Sequence, residues 1–246
     1  MTIALKKSAF TIGLLGLLAL ALALAAPARA GAVNKSVRID AGQQVDAASS
    51  VNGSVTVGAG AVVTGEVSTV NGQIKIDANA EVQEVSTVNG ELRVAGGARS
   101  RNLSTVNGAI RVDENVAVDG WIEAVNGGIS IARDSTVAGH VSNVNGEIEL
   151  DGSQVGGDLA TVSGDVTLDN GAILSGDLIV AKPGGWNWGG NKGRAPNVVI
   201  GPNSRVMGTI RLEREVMLYI SDTADVGGVE GELSMSDAVR FSGDRP

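Results

Sequence analysis

The chain of 246 residues has no cysteine, one histidine, three Trp, one Tyr and two Phe. Without cysteine there is no disulfide framework, no thiolate chemistry and no lipidated N-terminal cysteine. A single histidine, His140, excludes a multi-histidine metal site. The prolines are Pro27, Pro183, Pro196, Pro202 and Pro246, so residues 31–182 have none. With aromatics at 2%, any core must be filled by small aliphatic side chains, whereas ordinary globular interiors lean on aromatics for volume. No Ser/His/Asp spacing is present, and no long loops within the repeat wall off a cleft. The chain therefore reads as non-enzymatic, with no cofactor and no metal.

The N-terminus has the pattern of an export signal. Lys6 and Lys7 precede an uncharged stretch over 8–28, and Ala28-Arg29-Ala30 supplies small-residue positions for cleavage after Ala30. The expectation is a signal peptide over 1–30, an exported protein that is periplasmic, secreted or at the cell surface, and no stable membrane span after cleavage. Cleavage removes three of the 19 basic residues and none of the 27 acidic ones, leaving a net charge of −11. Such a surface repels nucleic acid and anionic lipid, so no nucleic-acid partner is expected.

The strongest pattern is an internal repeat. Val-Asn-Gly recurs with its asparagine at Asn52, Asn71, Asn89, Asn107, Asn126 and Asn145. Val33-Asn34-Lys35 precedes the series and Val162-Ser163-Gly164 follows it, at intervals of 18 or 19 residues throughout. Within each unit, apolar residues fall three and five positions after the asparagine. Examples are Val55/Val57, Ile74/Ile76, Ile110/Val112 and Ile129/Ile131. That period of two is a strand with alternating faces, and β-branched residues suit it. The units are too short for a strand plus a crossover helix. Each unit is then one coil of a β-solenoid, regular over 31–182, with equivalent residues stacked about 4.8 Å apart.

The asparagines read as a structural corner ladder. Asn and Gly tolerate left-handed backbone, and stacked Asn side chains can bond along the stack. A second corner shows Gly65, Gly120, Gly139, Gly157, Gly176, Gly208 and Gly231. Units beginning at Asn71 and Asn89 lack that glycine and are 18 residues long, so the 18/19 alternation reads as an inserted corner residue. Lys75, Arg93 and Arg111 occupy one outward row, with Glu91 and Asp113 as compensating neighbours.

Residues 183–197 break the pattern with a Gly-rich loop containing Trp186 and Trp188. Strand-like residues resume over 198–233, giving about ten coils in all, and 234–246 reads as a tail or partial cap. Trp186 and Trp188 are candidates for stacking on a sugar or docking a partner. Trp121 and His140 follow Gly120 and Gly139, so they share an outward row on adjacent coils. They are a second candidate patch, or simply a cross-strand pair.

Two resemblances follow from these motifs. Val199-Ile200-Gly201-Pro202-Asn203-Ser204-Arg205-Val206-Met207-Gly208-Thr209-Ile210 resembles bactofilins, polymer-forming cytoskeletal proteins, as do the corners Val63–Val67 and Val137–Val141. The Ser-Thr-Val-Asn-Gly units at 68–72, 86–90 and 104–108 resemble adhesin-type β-solenoids of bacterial envelopes. The bactofilin resemblance implies a right-handed, single-stranded β-helix that polymerises end to end without nucleotide. The uneven 18/19 spacing disfavours a left-handed hexapeptide helix. The expected function is an exported structural scaffold of the envelope that self-associates through its end coils. The alternative is an adhesin-like module that binds an envelope glycan or protein through the Trp loop.

Overall fold

The computed structural model describes residues 29–183 and 194–246. The expected signal peptide therefore lies almost wholly outside the described residues, as do Trp186 and Trp188. The fold is an all-β parallel β-solenoid of about 11 turns with essentially no helix. At about 4.8 Å per turn the rod is roughly 50 Å long.

The first coil sets the pattern with three strands: β1 (Arg29–Ala32), β2 (Val37–Ile39) and β3 (Gln44–Val45). Each heads a parallel ladder. β2 begins an 11-stranded sheet that ends with Val239–Phe241. β1 and β3 head two ladders that join into one 19-stranded sheet. They join because the strands Arg205–Leu212 and Asp225–Gly231 bend round a corner and serve both. Register is tight: Ile74, Leu92, Ile110, Ile129 and Ile148 align in one inward row, and each is at most 1% exposed. Val67, Val85, Leu103, Ile122, Val141 and Leu159 form another. From the second coil on, the strands of the repeat are bonded on both edges, which explains why proline is absent there: it would delete a ladder donor.

The corners differ from the sequence expectation in an instructive way. The Asn of the Val-Asn-Gly corner is not left-handed, and among the glycines of that corner only Gly146 has positive φ, at 120°. What requires glycine there is close stacking of backbone on backbone. A Cβ on Gly90 would lie 1.9 Å from the Gly72 carbonyl oxygen, and one on Gly127 1.8 Å from that of Gly108. Left-handed residues occupy the turn after the 11-stranded sheet instead, at Gly42, Gly60, Asn79, Gly97, Asn115, Asp134, Gly152, Asn170 and Asn203. These are the short-side-chain residues that tolerate αL. The turn closes with bonds such as Ala61 N–H to Gly58 O at 3.1 Å and Ala80 N–H to Asp77 O at 3.3 Å.

The second glycine row runs Gly120, Gly139, Gly157, Gly176 and Gly208, each directly over the one before. It continues to Gly227, not to Gly231, which stacks on Leu212 in a different row. The length alternation also has two origins. The units at Asn71 and Asn89 are shortened at this corner, since Val63 pairs with Val82 while Val67 pairs with Val85. The unit at Asn145 is shortened at the left-handed turn, between the pairs Ile131–Leu150 and Val137–Val155.

The far end is ordered beyond the expected coils. Residues 234–246, expected to form a tail or partial cap, contain a short 3-10 turn, Met235–Asp237, and the strand Val239–Phe241 paired on Met217–Ser221. Leu233, Met235 and Ala238 pack on the core. The Asp237 carboxyl accepts from the Ser234 hydroxyl and then from the Ser234 N–H, and this holds it below the usual carboxylate range.

Candidate functional site

Asn34, Asn52, Asn71, Asn89, Asn107, Asn126 and Asn145 stand one above another. In every step the Nδ2 of the later residue donates to the Oδ1 of the earlier one, at 2.7–3.1 Å. Each inner amide thus uses one donor and one acceptor within the ladder and presents its remaining hydrogen and lone pair to water. The ladder is exposed, so water competes for each bond. Asn89→Ala, which removes two of them, is expected to lower stability by only about 1 kcal/mol, readable as a shifted urea midpoint at unchanged slope.

Beneath the ladder lies a row the sequence reading missed. The threonine of each Ser-Thr-Val-Asn-Gly unit points inward. Thr69 Oγ1 donates to Gly53 O at 2.8 Å and Thr87 Oγ1 to Gly72 O at 3.2 Å. Both are 1% exposed. The hydroxyl gives a half-buried corner carbonyl of the preceding coil a partner. The signal was present as a threonine fixed two places before each asparagine in three successive units. At the equivalent position the later coils carry Ala124 and Asn143; the Asn143 Nδ2 donates to Gly146 O at 2.6 Å.

Trp121 and His140 are brought together as their shared row implies. Their rings stack with centroids 6.2 Å apart and planes 15° from parallel. His140 Nε2 lies 2.9 Å from Glu123 Oε1, on a histidine side chain 42% exposed. The Trp121 N–H donates to Asn102 Oδ1 at 3.0 Å, and Asn102 Nδ2 donates to Glu84 Oε1 at 2.7 Å. The patch is thus a half-exposed aromatic pair held by carboxylates at its rim. Its hydrogen bonds are all internal to the sheet face.

The basic row is neutralised locally. Lys75, Arg93 and Arg111 are in register on adjacent strands. Lys75 pairs with Asp77 at 2.7 Å, Arg93 with Asp113 at 3.1 Å, and Arg111 with Glu91. Arg99 and Asp119 form a further pair at 2.6 Å, and this hydrogen-bonded partner raises the guanidinium's already high pKa. These are mixed surface charges, each pair worth little singly.

The chain matches no protein-family model, no curated protein and no solved structure.

The Trp loop follows Lys182, two coils beyond the last ladder residue, Asn145. The described strands on either side of it are Leu178–Val180 and Asn197–Ile200. Asp165 anchors the return. One of its oxygens pairs with the Arg194 guanidinium, and the other accepts the Asn197 N–H at 2.8 Å. Among the described residues no group of three or more His, Asp or Glu is placed to hold a metal ion, and no helix is long and apolar enough to cross a membrane.

Proposed function

We propose that the chain is an exported, non-enzymatic structural rod of the bacterial envelope that associates end to end with further copies of itself. The observation that carries this reading is the first coil. β1, β2 and β3 are bonded to the coil below, and their other edges have no partner strand among the described residues. An unpaired parallel edge is a template for another strand. Here three such edges surround an apolar interior, with Ala30, Ala32 and Val45 only partly buried against the core.

The expected cleavage point, after Ala30, falls inside β1. Cleavage there leaves Gly31 and Ala32 in the strand. Export and the envelope location rest on the N-terminal pattern. Kinship with bactofilins or with adhesin-type solenoids rests on the corner motifs. The binding-module alternative depends on Trp186 and Trp188, which lie outside the described residues, and no described geometry argues for it.

The reading is tested at the edge itself. Val37 donates to Ser54 O and Ile39 accepts from Gly58 N–H. By the alternation of a parallel ladder, the Arg38 N–H and carbonyl therefore face the open side. Arg38→Pro removes an edge donor without touching a bond of the coil below. In light scattering the variant is expected to remain monomeric at concentrations where the parent chain associates, with an unchanged circular dichroism spectrum. Association of Arg38→Pro equal to that of the parent would remove this end from the account.

A further inference from the structure

We propose that Asn145 is a site of spontaneous deamidation, singled out by the fold from six other Asn-Gly pairs in the same chain. The chemistry is intramolecular. The backbone nitrogen of the residue after asparagine gives up its proton to base and attacks Cγ of the side-chain amide. The Cγ–Nδ2 bond breaks, ammonia leaves, and a five-membered succinimide closes. Water then opens either carbonyl of the ring, giving aspartate or an isoaspartate whose backbone runs through the side chain. One water is consumed and one ammonia released, with nothing oxidised or reduced. Glycine favours the attack because it has no side chain to hinder the ring-closing conformation.

The seven pairs are Asn52-Gly53, Asn71-Gly72, Asn89-Gly90, Asn107-Gly108, Asn126-Gly127, Asn145-Gly146 and Asn170-Gly171. In six of them the nucleophile is tied down. The N–H groups of Gly53, Gly72, Gly90, Gly108 and Gly127 donate to the asparagine carbonyl of the next coil at 2.9–3.1 Å. Gly171 donates to Pro202 O at 3.1 Å. Each bond holds the nitrogen on an acceptor in the next coil and must open before attack.

The Gly146 N–H has no acceptor among the described residues. The next corner is Ser163-Gly164, and it turns differently: Gly164 sends its own N–H back to Thr161 Oγ1 at 3.0 Å. Gly146 itself sits at φ 120°. The electrophile is also freer. The Oδ1 atoms of Asn52, Asn71, Asn89, Asn107 and Asn126 each accept the amide of the following ladder residue. Asn145 ends the ladder, so among the described residues its Oδ1 accepts nothing and one bond, Nδ2 to Asn126 Oδ1 at 2.9 Å, holds its amide. Asn145 is exposed to the water that completes the reaction.

Conversion at Asn145 has a direction built into it. The Asn145 carbonyl is the acceptor that restrains Gly127. An isoaspartate there displaces that carbonyl and frees the nucleophile of Asn126-Gly127. Damage then proceeds down the ladder from Asn145 towards Asn52.

The test is timed peptide mapping by mass spectrometry of the purified chain in mildly alkaline buffer, with a parallel sample in denaturant. In the folded chain Asn145 is expected to convert about tenfold faster than any of the other six Asn-Gly sites, the factor that freeing one further hydrogen bond supplies. In denaturant the six Val-Asn-Gly sites share the same local sequence, and their rates are expected to converge. Equal rates in the folded chain, a faster site elsewhere in the ladder, or an equal lead for Asn145 in denaturant would each overturn the proposal.

Discussion

Gly127→Ala is expected to destabilise the rod by about 3 kcal/mol, although it adds a single methyl group at a surface corner. The added Cβ would lie 1.8 Å from the Gly108 carbonyl oxygen and 2.5 Å from its carbon. Backbone cannot rotate out of the way as a side chain can. Nor can Gly108 retreat, because it is stacked in the same manner on Gly90. Gly60→Ala is the matched control. Gly60 has φ +64° and open space around its missing side chain, so the only cost is that of left-handed backbone, about 1 kcal/mol. Thermal melts of the two variants separate close approach from conformational preference. Equal losses would show that the Val-Asn-Gly glycines are not held by stacking.

Leu103→Ala is expected to cost about 3 kcal/mol and to lower the melting temperature by roughly 6–12 °C. Leu103 is fully buried and sits between Val85 and Ile122 in the inward row of the ladder headed by β1. The interior is a column of identical rows, so no aromatic or flexible neighbour is at hand to fill the space. The cavity term therefore adds to the transfer term. A solenoid is stabilised mostly through neighbouring coils, so a break in the middle of the rod is felt on both sides. Val226→Ala, in the half-buried last turn of its ladder, is expected to cost well under half as much. A mid-rod loss no larger than the end loss would contradict this picture of the core.

Much of this architecture was legible in the sequence because a solenoid writes its register directly into its period. Val-Asn-Gly at 18 or 19 residues gave the coil length, and the aliphatic pairs three and five places on gave the inward faces of the 11-stranded sheet. The row containing Trp121 and His140 was legible for the same reason, since residues after equivalent glycines must stack. The corners were harder, because glycine answers two different demands. At Gly72 or Gly90 it makes room for a neighbouring backbone, and at Gly42 or Gly60 it supplies positive φ. Composition alone does not separate these. The second demand also admits Asn79, Asn115 and Asp134, which conceals the row among ordinary polar residues. Gly227 falls one coil length, 19 residues, after Gly208; it was passed over for Gly231 because Gly227, Gly228 and Gly231 crowd one strand, which also carries a register shift. The last turn was missed because β-strand period is faint in Val239–Phe241, where Arg240 stands in register with inward Ile220.

The surface patches pair internally, whereas the strand edges of the first coil have no partner strand among the described residues. The most direct measurement of the structural reading is the mass of residues 31–246 by light scattering across a concentration series. The account expects species that grow with concentration into elongated assemblies. A monomer of unchanging mass at every concentration would contradict it.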